Sequence, residues 1–226
     1  MVGEMLLPAQ GVFAFMPSDL SAVSRHTLRV LLVAENISLK QSGETAVSYH
    51  YLTQFLDKGI EVQAICHARV REEMRQTLRP EVFERLHFIE DSWLQAQLSR
   101  ASKSFHYRIA DLVFNQLIYV LTQFRMRSPA MRLVREHRID VVLQPAPISP
   151  KTLSSMYGLG APVVIGPLCG GLELPPAFRH IDGRLVSGII RASRALATLA
   201  HRTVPGKLQA AALLVVQPRE NGFAIR

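Results

Sequence analysis

The side chains best placed for chemistry in this 226-residue sequence follow short apolar runs. Gly166, Gly170 and Gly171 bracket Pro167 in the segment IGPLCGG. Glycines so spaced let a backbone approach a ligand closely and present its N–H groups. Gly43 and Glu44 close a polar loop, residues 35–44, ahead of an amphipathic run. Glu44 there either complements the dipole of a helix N-terminus or contacts a ligand. His67 and Gln144 each stand where an apolar run ends, and His50 falls one turn into the run after Glu44. No Ser/His/Asp set, no H-E-x-x-H and no locally paired carboxylates occur, and the eight histidines are scattered singly. Cys66 and Cys169 lack a CxxC or histidine partner and read as buried reduced thiols, with no metal site. What remains is a ligand-binding loop edge rather than a recognisable hydrolase or metal centre.

Those loops need elements to hold them. Continuous apolar runs suit strands buried on both faces, the pattern of a parallel sheet. Such runs predict strands near residues 29–34, 60–66, 86–89, 141–143, 162–165 and 213–216. A helix is expected over 45–58, with Val47, Tyr51, Leu52 and Phe55 on one stripe and Gly59 as its left-handed cap. Strand, polar loop, helix, glycine and strand in that order make a βαβ unit, and the fold class that follows is α/β, a Rossmann-like three-layer domain. Further helices are expected over 70–78, over 93–127 with a break near Ser104, from Pro129 onward and over 185–200, with a helix-compatible crossover at 151–157. The polar strip Arg108, Asp111, Asn115 and Thr122 on an otherwise apolar segment reads as a helix packed into the core. Residues 1–27 read as an extension, 28–216 as one domain and 217–226 as a tail. The first loop lacks both G-x-G-x-x-G and G-x-x-x-x-G-K-[ST], which argues against a dinucleotide or P-loop site. Open α/β sheets bind ligands at the carboxyl ends of their strands, which is where these loops fall.

Three segments in order, RVLLVAENISLKQSGETAVSYHYLTQFLDKGIEV, VVLQPAPISPK and APVVIGPLCGGLELPPAF, carry a resemblance. Together they resemble the amino-terminal domain of the glycogen-synthase-like retaining glycosyltransferases, GT-B enzymes of the large "glycosyl transferases group 1" family. The resemblance implies one half of a GT-B fold and a hexosyltransferase function. It implies an acceptor-holding lobe and no cofactor, the nucleotide-sugar being a co-substrate held chiefly by a second, donor-binding lobe. Carried across by position, Gly43 and Glu44 face the donor phosphates and the acceptor, and Gly170 and Gly171 border the same cleft. His67 and Gln144, at the carboxyl ends of their strands, complete the expected substrate-binding set, with a sugar hydroxyl as the alternative contact of Glu44. Where many relatives have a histidine after the fourth strand, this sequence has Leu143 and Gln144, and no catalytic residue is assigned. The donor lobe with its glutamate pair would follow the final strand, whereas the sequence ends at Arg226. The expectation is an acceptor lobe that is inactive alone, with a glycan or lipid-linked acceptor and a separate donor-binding lobe as partners.

Composition bounds the alternatives. With 48% hydrophobic and 19% charged residues the chain is globular rather than disordered. A net charge of +8 suits anionic partners. Nucleic acid ranks low among them, because the basic residues lack an aromatic stacking pattern or groove-reading motif. The amino-terminal segment does not match a secretory signal and no run is apolar enough to span a bilayer, so the expected location is cytoplasmic. Arg184, Arg191, Arg194 and Arg202 fall on the polar side of the expected helix 185–200. They form a candidate contact for an anionic membrane, and a non-catalytic docking module is the alternative function. Each basic residue near such a surface contributes about 1 kcal/mol. Vesicle binding is therefore expected to require anionic lipid, to weaken with salt, and to fall when the four arginines become glutamine. Co-sedimentation checks this, and undiminished binding by the glutamine variant removes this helix from the contact.

Overall fold

A computed structural model describes residues 27–105, 107, 110–149, 152–169, 188 and 203–215. In order these form β1 (Arg29–Val33), α1 (Gly43–Asp57), β2 (Glu61–His67), α2 (Arg71–Thr77), α3 (Pro80–Phe83), β3 (Leu86–Ile89), α4 (Trp93–Ser102), a π-helical turn (Ala110–Asn115), α5 (Gln116–Glu136), β4 (Val141–Gln144), β5 (Val163–Leu168) and β6 (Ala212–Val215). The six strands form one sheet in the order β3-β2-β1-β4-β5-β6, and every pairing is parallel. The protein is thus α/β and Rossmann-like, with its strands where the apolar runs lie.

β1 shows why those runs are continuous. Leu31 and Val33 pack on one face, against Met126, Ala130 and Leu133 of α5. Val30 and Leu32 pack on the other, in the cluster that holds Leu52 of α1 and Met74 of α2. With helices on both sides neither face of the strand meets water, and alternation disappears. The helix limits follow local chemistry. Ser42 caps α1 through the Thr45 N–H (3.3 Å), while the Ser42 N–H is returned to Thr45 Oγ1 (3.1 Å). Gly59, at φ +70°, ends that helix as expected. Ser92 and Gln95 cap α4 in the same reciprocal way.

Three expectations change. Pro129 does not start a helix but lies inside α5. Interior proline costs about 3 kcal/mol. Met126 and Leu133, fully buried on either side of it, each return about 1.5–3 kcal/mol through burial, so the helix continues. Residues 152–157 contain no helix. Ser154 Oγ donates to Gln144 Oε1 (2.6 Å) and Ser155 Oγ to the Gln123 carbonyl (2.6 Å), local side-chain bonds that compete with helical pairing. The third change concerns orientation. Thr122 is buried, whereas Leu117 and Phe124 on the same helix are exposed, so the polar strip does not mark the solvent side. The Thr122 hydroxyl accepts from Gln95 Nε2 (2.7 Å) and donates to the Ile118 carbonyl (2.9 Å), which makes its burial tolerable. The break near Ser104 is present, between α4 and the π-helical turn.

Gly166 lies within β5, at the irregularity between Ile165 and Leu168, with φ +128°, and a Cβ there would collide with the Leu214 carbonyl of β6 and lie 2.9 Å from the Leu214 Cβ. Gly166→Ala is expected to cost about 2–4 kcal/mol through strain and overpacking. For a chain of this size that lowers Tm by roughly 5–15 °C. Gly43→Ala, with nothing within 4 Å of its Cβ, should leave Tm nearly unchanged. Paired thermal melts check both.

Candidate functional site

The sheet order reverses between β1 and β4, and a cavity of about 680 Å³ opens there at the carboxyl edge. Its wall comes from five places. Glu35 and Asn36 follow β1, Ser42, Glu44 and Thr45 begin α1, Arg69 follows β2, Asp91 follows β3, and Ala146 and Pro147 follow β4. Gln95 and Ser99 of α4, Asn115 and Gln116 on either side of the π-to-α boundary, and Ile118 and Tyr119 of α5 close the remaining side. Crossovers in a parallel sheet diverge at such a reversal, which leaves the gap.

The loop after β1 is pinned from outside the cavity. Glu73 of α2 accepts from the Ser38 hydroxyl (2.7 Å) and the Leu39 N–H (3.0 Å). Glu44 Oε1 then accepts the Ile148 N–H (2.7 Å), tying the start of α1 to the loop after β4 across the reversal. Gly43 is the first residue of α1. His67 ends β2 with its side chain almost fully buried. Its Nδ1 accepts from the backbone N–H of Arg69 (3.2 Å) and from Arg69 Nε (3.1 Å). The ring proton therefore belongs on Nε2, which reaches Asp91 Oδ1 at 3.1 Å. Gln144 ends β4 inside the protein, donating from Nε2 to Gln123 Oε1 (3.0 Å) and accepting from Ser154. Gly170, Gly171, Arg184, Arg191, Arg194 and Arg202 lie outside the described residues.

Electrostatics concentrate at one corner. The Arg69 guanidinium stands 3.4 Å from Glu35 and 3.8 Å from Asp91. Burial raises the Glu35 pKa, Asp91 and Glu44 raise it further, and Arg69 opposes them. The His67 pKa is lowered, first by burial and then by Arg69, against the pull of Asp91. Burial also pushes the Tyr119 hydroxyl well above the ordinary phenol range, with Glu35 and Glu44 adding to it. The Gln144 amide, which also bonds Gln123 and Ser154, reaches that hydroxyl and opposes the shift. Asn36 Oδ1 is buried without a hydrogen-bond partner. Both residues line the cavity. Among the described residues no His, Cys, Asp and Glu side chains group as metal ligands. Cys66 and Cys169 are free thiols, Cys66 buried and Cys169 half-buried.

Of the residues singled out in the sequence, Glu44 lines the cavity and His67 supports it through Asp91 and Arg69. Glu35, Asn36, Arg69, Asp91, Gln95 and Tyr119 were not singled out. The first four had a usable signal, since each lies just beyond the carboxyl end of a strand. Gln95 and Tyr119 had none, because helices from elsewhere in the chain deliver them.

No protein-family profile matches this chain, and no curated protein does. Among solved structures, the chain is similar to the glycosyltransferase SnogD from Streptomyces nogalater. The identity is 17% and the TM-score 0.36, covering 85% of this chain and 46% of that one. The chain thus spans about half the length of that protein, and a likeness at this level carries no conclusion about activity.

The corner predicts opposite pH effects. Because folding lowers the His67 pKa, protons bind the unfolded chain more tightly, and stability is lost as pH falls below about 6.5 toward the folded-state value. Burial lowers the His87 pKa as well, with His137 adding to it, so the loss has two contributors. Glu35 works the other way, its raised pKa adding stability as pH falls through the folded-state value toward about 4.5. Melts from pH 8 to pH 4 should show a shallower acid loss for His67→Gln and a steeper one for Glu35→Gln, each relative to the parent. Parallel profiles for all three proteins would contradict this account.

Proposed function

We propose that this chain is the acceptor-holding lobe of a glycosyltransferase that moves a hexose from a nucleotide-sugar, the donor being held by a separate lobe. The observation that carries this reading is the polar wall of the cavity at the sheet reversal, where Arg69 stands 3.4 Å from Glu35 and 3.8 Å from Asp91 beside Ser42, Glu44, Ser99 and Gln116. The surrounding side chains are carboxylates, amides and hydroxyls with one guanidinium, a set that accepts from and donates to several hydroxyls at once. Sugars carry such groups in quantity. The volume admits one or two sugar rings. The resemblance of the three segments to the glycogen-synthase-like family supports the same assignment, as does the absence of both phosphate-loop motifs. Glu35, Arg69 and Asp91 would orient the acceptor, and Glu44 would hold the two loops at the distance that admits it. Transfer requires both reactants in one geometry, and that positioning accounts for much of a transferase's rate.

Saturation-transfer NMR with a panel of mono- and oligosaccharides tests the acceptor assignment. Gln116→Ala, at the exposed cavity wall, is expected to weaken saccharide binding about 2- to 12-fold, the loss of one hydrogen bond, while leaving the Tm of the free protein nearly unchanged. The purified chain incubated with a panel of nucleotide-sugars and the best-binding saccharide should transfer nothing. Failure of every saccharide to bind would overturn the acceptor assignment, and sustained turnover by the chain alone would overturn the two-lobe reading.

A further inference from the structure

The helical hairpin of α4, the π-helical turn and α5 is turned inside out. Contacts set its course: Gln95 meets Thr122, and the Phe105 and Phe114 rings lie 5.0 Å apart, so its two arms run antiparallel. Toward the protein it presents Gln95, Thr122 and Gln123, all buried, and its cavity wall includes Asn115 and Gln116. Toward solvent it presents apolar side chains. Six of the ten large hydrophobics exposed among the described residues belong to it: Trp93 (75%), Leu94, Phe105, Tyr107 (68%), Leu117 and Phe124. Single exposed hydrophobics are ordinary on a soluble surface, but this concentration on one supersecondary unit is not. Beyond Arg125 α5 reverts to the usual sense, burying Met126, Ala130, Leu133 and Val134.

We infer that the outer surface of this hairpin docks on a lipid bilayer with anionic headgroups. Tryptophan and tyrosine, amphipathic rings that favour the boundary between headgroups and acyl chains, are the two most exposed of its apolar residues. Among the described side chains of α4, the residues after it and α5 as far as residue 125, the exposed charges are Arg100, Lys103 and Arg125, all basic. The nearest carboxylates at the base of the hairpin are engaged, Glu90 by Arg71 (2.8 Å) and Asp91 by His67 and Arg69. Apolar insertion and attraction to anionic lipid therefore act on the same face. A second copy of the chain fits less well. Two copies would bring Arg100, Lys103 and Arg125 against the same basic residues, and like charges juxtaposed are costly. No helix among the described residues is long and apolar enough to cross a membrane, so the contact lies in the interface plane. The docking does not depend on the transferase reading. If that reading also holds, the hairpin sets the cavity beside the bilayer, and the acceptor would be carried on a lipid.

Trp93 is the only tryptophan, so its fluorescence reports this face alone. With the full chain, vesicles of phosphatidylcholine containing one-third phosphatidylglycerol should shift its emission to the blue, and brominated acyl chains should quench it. Leu94→Ser/Leu117→Ser/Phe124→Ser should keep the circular dichroism and Tm of the parent and lose at least tenfold in vesicle affinity. The variant with glutamine at Arg184, Arg191, Arg194 and Arg202 should still show the Trp93 shift at saturating vesicle concentration, even where its affinity falls. Emission unmoved by anionic vesicles, a serine variant that binds as the parent does, or loss of the shift at saturation in the glutamine variant would overturn the assignment. So would a parent that sediments as a dimer, ignores vesicles and becomes monomeric in the serine variant, since the face would then join two copies. No sugar is present in this experiment, so it cannot be confused with a failure of the acceptor assignment.

Discussion

Burial of both faces of β1 is the constraint on which the rest of the structure depends. Val30, Leu31, Leu32 and Val33 are all within 2% of complete burial, and neighbouring residues point to opposite layers. A strand in that position cannot be an edge and cannot be paired through a tight hairpin to a parallel neighbour, so each connection must travel back over a face of the sheet. Those connections leave every carboxyl-end loop on the same edge. The reversal between β1 and β4 then opens a gap among loops already gathered there. The place of the cavity is thus a consequence of hydrophobic burial at the centre of the sheet. Its contents are a separate matter.

The polar interior beside the cavity shows where that burial was given up. Gln144, Gln123 and Ser154 form a chain of buried hydrogen bonds, and Gln95 joins Thr122 in a second one. Paired buried polar groups are close to neutral in stability, and the cost here falls on Gln123 Nε2, which is buried without a partner. The two chains hold α4, α5 and the segment after β4 in register without apolar packing. That leaves the apolar residues of the hairpin without an interior to occupy, and they face outward. The polar cavity wall and the apolar outer surface are two sides of one arrangement.

Charge is handled differently. Glu35, Glu44 and Asp91 share a small volume in which Arg69 is the cation in direct contact with two of them. Burial, with Asp91 and Glu44 adding to it, makes the Glu35 carboxyl easier to protonate than in water, and burial with Arg69 makes His67 harder. His67 stays neutral and fixes Arg69 from behind through its Nδ1. A corner held in that way keeps its donors and acceptors oriented before any ligand arrives, which lowers the ordering cost of binding.

The strands were legible in the sequence because each is a short apolar run with turn residues beyond it, and burial on two faces writes itself into consecutive positions. Parallel pairing, the cap at Gly59 and the break near Ser104 were legible for similarly local reasons. Glu44 could be singled out because it begins a helix after a polar loop. Arg69, Asp91, Tyr119 and Gln95 could not be brought together by inspection, since contacts between residues separated by up to fifty positions depend on crossover geometry rather than on period. Orientation was the other limit. Periodicity shows that the segment containing Thr122 has two unlike faces, but a polar face with buried partners looks the same as one that meets water. Only packing decided that Thr122 and Gln123 turn inward, that Pro129 sits within a helix held by its buried neighbours, and that residues 152–157 are fastened by serines instead of coiling. The sequence by itself determined which segments must be buried; the tertiary structure decided which polar groups went in with them, because that depends on whether a partner is waiting there.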